Sequence, residues 1–198
     1  MLRIMTLLAI AMLVLVGSAI AEPIQWTVEE GGNGHWYELV QLTVENDWCY
    51  LQNMADEQTH LGMPGYLVTI TSQEEQNWIF TQYGCELSNW IAMGFYQISN
   101  VPNVAWVWIT GETWDYTNWD VGEPNNHTQG GGGEYMGMFS RLDCDGEWND
   151  YCNYPELTGY VVEFGGFDPI SECPPGEPPG QPILSEQSSW GAIKKAYR

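Results

Sequence analysis

The residues best equipped to do chemistry stand in one segment, Gly122 to Asp150. It holds Glu123-Pro124-Asn125, then a glycine run from Gly130 to Gly133 closed by Glu134, and it ends at Trp148-Asn149-Asp150. Glu123, Glu134 and Asp150 bring carboxylates, Asn125 and Asn149 amide carbonyls, and all are hard oxygen donors. Calcium takes about 6–8 such oxygens, often with water completing the shell. The set therefore reads as a Ca2+ site with positions left over for solvent or a ligand. Pro124 matters because X-Pro is the linkage where cis costs only about 0.5–1 kcal/mol. A cis bond here turns the side chains of Glu123 and Asn125 toward the same ion.

Glu123-Pro124-Asn125, Glu134 and Trp148-Asn149-Asp150 resemble the calcium and sugar site of C-type lectin domains. The resemblance extends upstream through Gly65-Tyr66-Leu67-Val68-Thr69-Ile70-Thr71-Ser72, Glu74-Glu75-Gln76 and Trp90-Ile91-Ala92-Met93-Gly94. It also takes in Trp106-Val107-Trp108 and Thr117-Asn118-Trp119, so it runs from about Gly34 to Phe164 in the family's order. It implies an α+β, C-type lectin-like fold: two helices packed on small antiparallel sheets, with a long calcium-binding loop. It also implies that Glu123, Asn125, Glu134, Asn149 and Asp150 serve twice, as calcium ligands and as sugar contacts. Acid before amide, Glu123 before Asn125, resembles the mannose-type order, which suits two equatorial vicinal hydroxyls. The glycine-rich stretch before Glu134 is longer than in typical mannose-type sites and is similar to galactose-type loops. Those carry an aromatic platform where this chain offers only His127, which is either a sugar contact or a solvent-facing loop residue.

Composition sets the frame around that segment. The chain has 198 residues, a formal charge of −21 and 11 Trp, enough for one domain with a real core. Arg141 is the one Lys or Arg between the leader and the C-terminal tail. Nucleic-acid binding needs the opposite sign, and most of the carboxylates read as a solvated surface. Arg3, the apolar run Leu7–Val16 and Ala19-Ile20-Ala21 read as a signal peptide over residues 1–21, cleaved after Ala21. The run is short for a bilayer span, so the mature protein is expected outside the cytoplasm, secreted or at the cell surface, in extracellular or periplasmic space. Residues 22–33 are a lead-in, 34–165 the domain and 166–187 a Pro/Gly-rich linker. Residues 188–198 form a short basic tail that resembles tails of exported bacterial proteins.

The elements that must hold the site can be read in order. His35–Val40 alternates as a strand, and Val44, Trp48, Leu51 and Ala55 fit one face of a helix with Thr43 as N-cap. Ser72, with Glu75 three residues on, caps a second helix. Trp90–Phe95, Trp106–Ile109, Met136–Phe139 and Tyr160–Phe164 read as strands, and Asn100–Asn103 as a loop. The span up to Trp119 is a long loop packed by aromatic rings. Glu74 and Glu75 complement the positive end of the second helix, while Glu45 and Glu163 read as solvated acids, with contribution to an auxiliary ion as the alternative.

Five cysteines in an exported chain suggest two disulfides and one left over. Cys144 and Cys152 flank Trp148-Asn149-Asp150 and are expected to pair; Cys49 and Cys85 form the second pair, leaving Cys173 free. The resemblance would also place a bridge between Ala55 and Val162, and another from Met136 to about Cys152. Ala55, Val162 and Met136 cannot make them.

Three functions compete. The first is a calcium-dependent lectin for mannose-like glycans of a cell surface or extracellular polysaccharide. The second is a calcium-stabilised protein-interaction or adhesion module on the same fold, without sugar. A glycosidase is the third, and it suffers because metal-bound acids stay ionised, leaving no general acid; no Ser/His or Cys/His motif appears. The chain is thus expected not to be an enzyme. The oligomeric state stays open, a homo-oligomer included.

Overall fold

The computed structural model describes residues 22–98, 106–127, 134, 136–141, 144–169 and 173. The leader 1–21, the loop at 100–103, the glycines 130–133 and the tail lie outside the described residues. The strands are β1 (Ile24–Gln25), β2 (Trp36–Asn46), β3 (Thr59–His60), β4 (Met63–Pro64), β5 (Tyr66–Leu67), β6 (Ile91–Gln97), β7 (Trp106–Trp108), β8 (Met136–Phe139), β9 (Trp148–Tyr151) and β10 (Leu157–Phe164). Helix α1 (Trp48–Asp56) lies between β2 and β3, and α2 (Gln73–Tyr83) between β5 and β6.

The architecture is α+β, as expected, but the main sheet is larger and mixed. Eight strands join in the order β1-β2-β10-β6-β8-β9, with β5 added to β10 and β7 to β6. The β10–β6 pair is parallel and its other ladders are antiparallel. Alternate side chains divide the core in two, as a pleated strand requires. Leu157, Tyr160, Val162, Ala92 and Met138 pack with Trp48, Leu51 and Ala55 of α1. Val161, Ile91, Met93, Phe95 and Phe139 pack with Ile79 of α2 and with the tryptophans. Trp48 sits fully buried and donates from its indole to the Met93 carbonyl at 2.7 Å. Ala55 and Val162 are both fully buried in the α1 cluster, so apolar packing stands where the resemblance would put a disulfide.

The start of α1 differs from the sequence reading. β-Branched Thr43 and Val44 continue β2 to Asn46, and Val44 is 65% exposed instead of facing a helix core. Asp47, in extended backbone, is the N-cap, and its carboxylate accepts from Tyr50 N at 2.8 Å. For α2 the cap is as expected, Ser72 Oγ accepting from Glu75 N at 3.1 Å.

The disulfides are Cys49–Cys173 and Cys85–Cys144, with Cys152 free and buried. Both expected pairs are therefore wrong, for reasons of topology. Strand β9 stands between Cys144 and Cys152, and four residues at about 3.3 Å each exceed the roughly 7 Å Cα separation a disulfide tolerates. The turn carrying Cys144 leans on α2 instead: Gln76 Nε2 donates to the Gly146 carbonyl at 2.8 Å. A Cβ on Gly146 would meet the Phe80 ring at 2.9 Å. That contact brings the Cα atoms of Cys85 and Cys144 to 4.8 Å. Cys49 belongs to the α1 core, whereas Leu87, two residues after Cys85, packs in the other cluster.

The cap assignment is testable by urea unfolding. Asp47→Ala is expected to cost about 1 kcal/mol, and Thr43→Ala less than about 0.5 kcal/mol. The reverse order would restore the longer helix.

Candidate functional site

The loop that carries Glu123 is tied to β9 before it reaches the site. Trp148 N donates to the Asn118 carbonyl at 2.8 Å, and Asp120 N to the Trp148 carbonyl at 2.9 Å. Buried Asp120 takes the Ser140 hydroxyl, and Glu123 N bonds the Asp120 carbonyl at 3.0 Å. Beneath the loop, Phe95 is ringed by Trp106, Trp108, Trp114, Trp119 and Trp148 at centroid distances of 5.3–5.6 Å. Trp108 and Trp148 are buried in this packing and offer no ring to a ligand; Trp119 is half-buried. Trp148 is fixed further by its indole N–H to Gln76 Oε1 at 2.8 Å.

From there the structure brings together four of the five predicted ligands, Glu123, Asn125, Glu134 and Asp150. The Glu123–Pro124 bond is cis, and Asn125 Nδ2 donates to Glu123 Oε1 at 2.8 Å. Asp150, fully buried on β9 opposite Gly137, accepts Asn125 N at 3.1 Å and Asn126 N at 2.8 Å. Asn126 adopts φ 47°, the left-handed conformation that asparagine tolerates better than most residues. His127 N donates to Glu134 Oε2 at 2.9 Å, which brings Glu134 into the same cluster. The part of His127 engaged here is its backbone; the residue is otherwise exposed. Asn149 neighbours Asp150, and its Oδ1 is buried without a hydrogen-bond partner.

Electrostatically this is a carboxyl cluster short of counter-charge. Burial, reinforced by the neighbouring Asp150 carboxylate, pushes Glu123 up to about 7. Burial and Asp150 likewise push Glu134 up to about 7, with Arg141 acting in the opposite sense. Asp150 is raised by burial against the pull of its amide donors. The donor set suits a hard cation: oxygens only, with one carbonyl oxygen left without a partner. Among the described residues no three acidic, His or Cys side chains yet close on one point. The amides of Asn125, Asn126 and His127 take up carboxylate lone pairs that an ion would claim.

A second acidic group escaped the sequence reading. Glu163 is not solvated but 1% exposed: His35 Nδ1 lies 2.6 Å from its Oε1, and Thr69 N donates to Oε2 at 2.9 Å. Burial alone would lower His35; its hydrogen bond to Glu163 and the surrounding carboxylates outweigh that and raise it. Glu75 reaches back past the helix end to Thr71 N at 2.8 Å and accepts the Tyr37 hydroxyl at 2.6 Å. Only long-range pairing of β10 with β2 and β5 brings these groups together, so periodicity within β10 gave no signal for it.

No family model matches the chain. Halomucin of Haloquadratum walsbyi is 31% identical over 147 residues, 68% of this chain and 1% of that one. The human low affinity immunoglobulin epsilon Fc receptor is 27% identical over 133 residues, 65% of this chain and 33% of the receptor. The chain thus spans a third or less of these relatives' own length. Among solved structures, the cow C-type carbohydrate-recognition domain of CD23, determined in the presence of GlcNAc2Man3 oligosaccharide, superposes with a TM-score of 0.50. It is 27% identical, covering 65% of this chain and 86% of that domain. The chain has the C-type lectin-like fold and is homologous to C-type lectin carbohydrate-recognition domains.

The raised carboxyls predict how metal-free stability varies with pH. A folded-state pKa near 7 against an ordinary value of 4.5 means the folded state holds these protons more tightly. Their contribution is present below about 4.5 and is lost as pH rises through about 7. In EDTA, urea unfolding is expected to show greater stability at about pH 5 than at about pH 8. Glu123→Gln with Glu134→Gln is expected to shrink that difference, and an unchanged difference would contradict the assignment.

Proposed function

We propose that this domain is a calcium-dependent carbohydrate-binding module for mannose-type sugars, exported to act outside the cytoplasm on cell-surface or extracellular glycans. The observation that carries it is the hydrogen-bonded gathering of Glu123, Asn125 and Asp150, with Glu134 drawn in through His127 N; Asn149, beside Asp150 in the chain, adds a buried Oδ1 without a partner. These five residues would hold one Ca2+ through oxygen. When bound, the ion supplies polarisation of two neighbouring sugar hydroxyls. The protein supplies the pattern: carboxylates of Glu123 and Glu134 accept hydroxyl protons, while the amide groups of Asn125 and Asn149 donate to hydroxyl lone pairs. His127 stands at the margin as a further contact. Holding a cation requires Glu123 and Glu134 to give up their protons, so binding weakens as pH falls through about 7. Homology to carbohydrate-recognition domains supports a glycan partner, as does the oligosaccharide present with the cow CD23 domain. Among the described residues no helix is long and apolar enough to cross a membrane.

An enzyme fits less well. Acids held as metal ligands stay ionised and leave no general acid for glycoside hydrolysis. An interaction module without sugar is the second reading, favoured by the loop amides that already occupy the carboxylates.

Exchanging acid and amide separates the readings. Glu123→Gln with Asn125→Asp keeps charge and oxygen count, so calcium affinity is expected to stay within about threefold. The pattern offered to the sugar is reversed, and mismatched polar groups cost about 1–3 kcal/mol. Mannose affinity is expected to fall at least tenfold, with a modest gain for galactose, in competition binding at saturating calcium and about pH 8. Unchanged mannose affinity would move the sugar away from these residues.

A further inference from the structure

Strand β2 runs from Trp36 to Asn46, and β10 pairs along one side of it over that span. On its other side β1 pairs with Trp36 and Tyr37 alone. From Glu38 onward that edge carries no further strand among the described residues. Such an edge offers a row of backbone N–H and C=O groups to any chain that can lie along it. Beside it, where α2 ends, lies a hollow of about 240 Å³ whose walls include Ile24, Leu39 and Tyr83 with Glu22, Glu38 and Glu86. Leu39 and Tyr83 are half-buried and Glu22 and Glu86 exposed, so the hollow has an apolar base and an acidic margin. Gln41 Nε2 lies 3.4 Å from Glu86 Oε2, which places that acid against the strand. Burial and the neighbouring Glu22 raise Glu38 above the ordinary carboxylate range, with His60 acting in the opposite sense. The margin is thus short of positive charge.

Charge decides what fits there. Edge-to-edge pairing with a second copy would bring Glu38 and Glu45 of one strand toward the same acids of the other, and like charges across a pair are destabilising. The formal charge of −21 adds to that repulsion. A basic segment suits the edge instead, and the chain has one. Lys194, Lys195 and Arg198, three of its five Lys and Arg, stand in residues 188–198 among Trp190, Ile193 and Tyr197. That segment contains no proline, which could not donate to a ladder. Cleavage after Ala21 would add one ammonium at Glu22 and leave Glu38 and Glu86 still to be met. Reach is ample: Cys173 is held to α1 through Cys49, and the chain from there to Lys194 can span at most about 70 Å. A domain of this size has a radius of gyration of about 14 Å.

We propose that residues 188–198 dock on the open edge of β2 in the same molecule, continuing the sheet beyond β1. Their apolar side chains face Ile24, Leu39 and Tyr83, and Lys194 and Lys195 face Glu38 and Glu86. The acidic domain thus covers its own exposed strand edge with the basic end of its chain.

The test uses residues 22–198. Lys194 and Lys195 are the only lysines in the sequence, so zero-length carbodiimide coupling, mapped by mass spectrometry, reports where this segment lies. Coupling is expected to join them mainly to Glu22, Glu38, Glu45 or Glu86 of the same molecule. It is expected to fall at least about fivefold in about 1 M NaCl, where the Debye length is about 3 Å. Backbone amide exchange supplies the second readout. Reversing the charge with Lys194→Glu, Lys195→Glu and Arg198→Glu is expected to speed exchange in residues 38–46 by about tenfold or more. Exchange in residues 157–164 of β10, on the other side of β2, is expected to stay as it was. Coupling scattered over the acids of the domain would overturn the proposal, as would exchange in residues 38–46 that ignores the charge reversal. Coupling found only between molecules, in a mixture of isotope-labelled and unlabelled chains, would give the edge to a second copy and overturn it too.

Discussion

The site depends on one carboxylate that solvent does not reach. Asp150 is fully buried on β9, and its two oxygens take the backbone amides of consecutive residues, Asn125 and Asn126. Those two bonds dock the cis-Pro124 loop against the sheet. Among the described residues no cation pairs with Asp150, so backbone dipoles do part of that work and the neighbouring carboxyls absorb the rest by holding protons. The cluster is consistent with a site whose charge is completed from outside. The raised carboxyls of Glu123 and Glu134 follow from the same shortage.

Rigidity comes from the aromatic packing beneath. Trp114 and Trp119 anchor the described part of the loop between β7 and β8 around Phe95, and β9 receives it at Asn118 and Asp120. Gln76 spans from α2 to both Trp148 and Gly146, and Cys85–Cys144 repeats that link covalently. The side of the molecule carrying α2 thus holds β9, and β9 holds the loop.

Much of this was legible in the sequence, and the failures have a common cause. The Ser72 cap and the strand Met136–Phe139 are set by neighbours a few residues away, and they came out as read. The grouping of Glu123, Asn125 and Asp150 followed from the order of the motifs. Thr43 was mistaken for a cap because helical spacing continued through Val44, while pairing of Asn46 with Leu157 kept that stretch in the sheet. The disulfides were misjudged because nearness in sequence says nothing of a strand standing between Cys144 and Cys152. Glu163 looked solvated because the partners that bury it, His35 and Thr69, come from elements far away in the chain. Each miss concerns a contact that exists only after the sheet has formed.

The central claim is that the acidic cluster is completed by a divalent cation held by the folded domain. Thermal unfolding of residues 22–198 at about pH 8, in excess calcium and in excess EDTA, tests it most directly. Ligand bound only by the native state stabilises by about 2.7 kcal/mol at a hundredfold excess over the dissociation constant. Melting is therefore predicted to rise by several degrees in calcium for wild type, and the rise to be lost in Asp150→Asn. Identical melting temperatures with calcium and with EDTA would contradict the account.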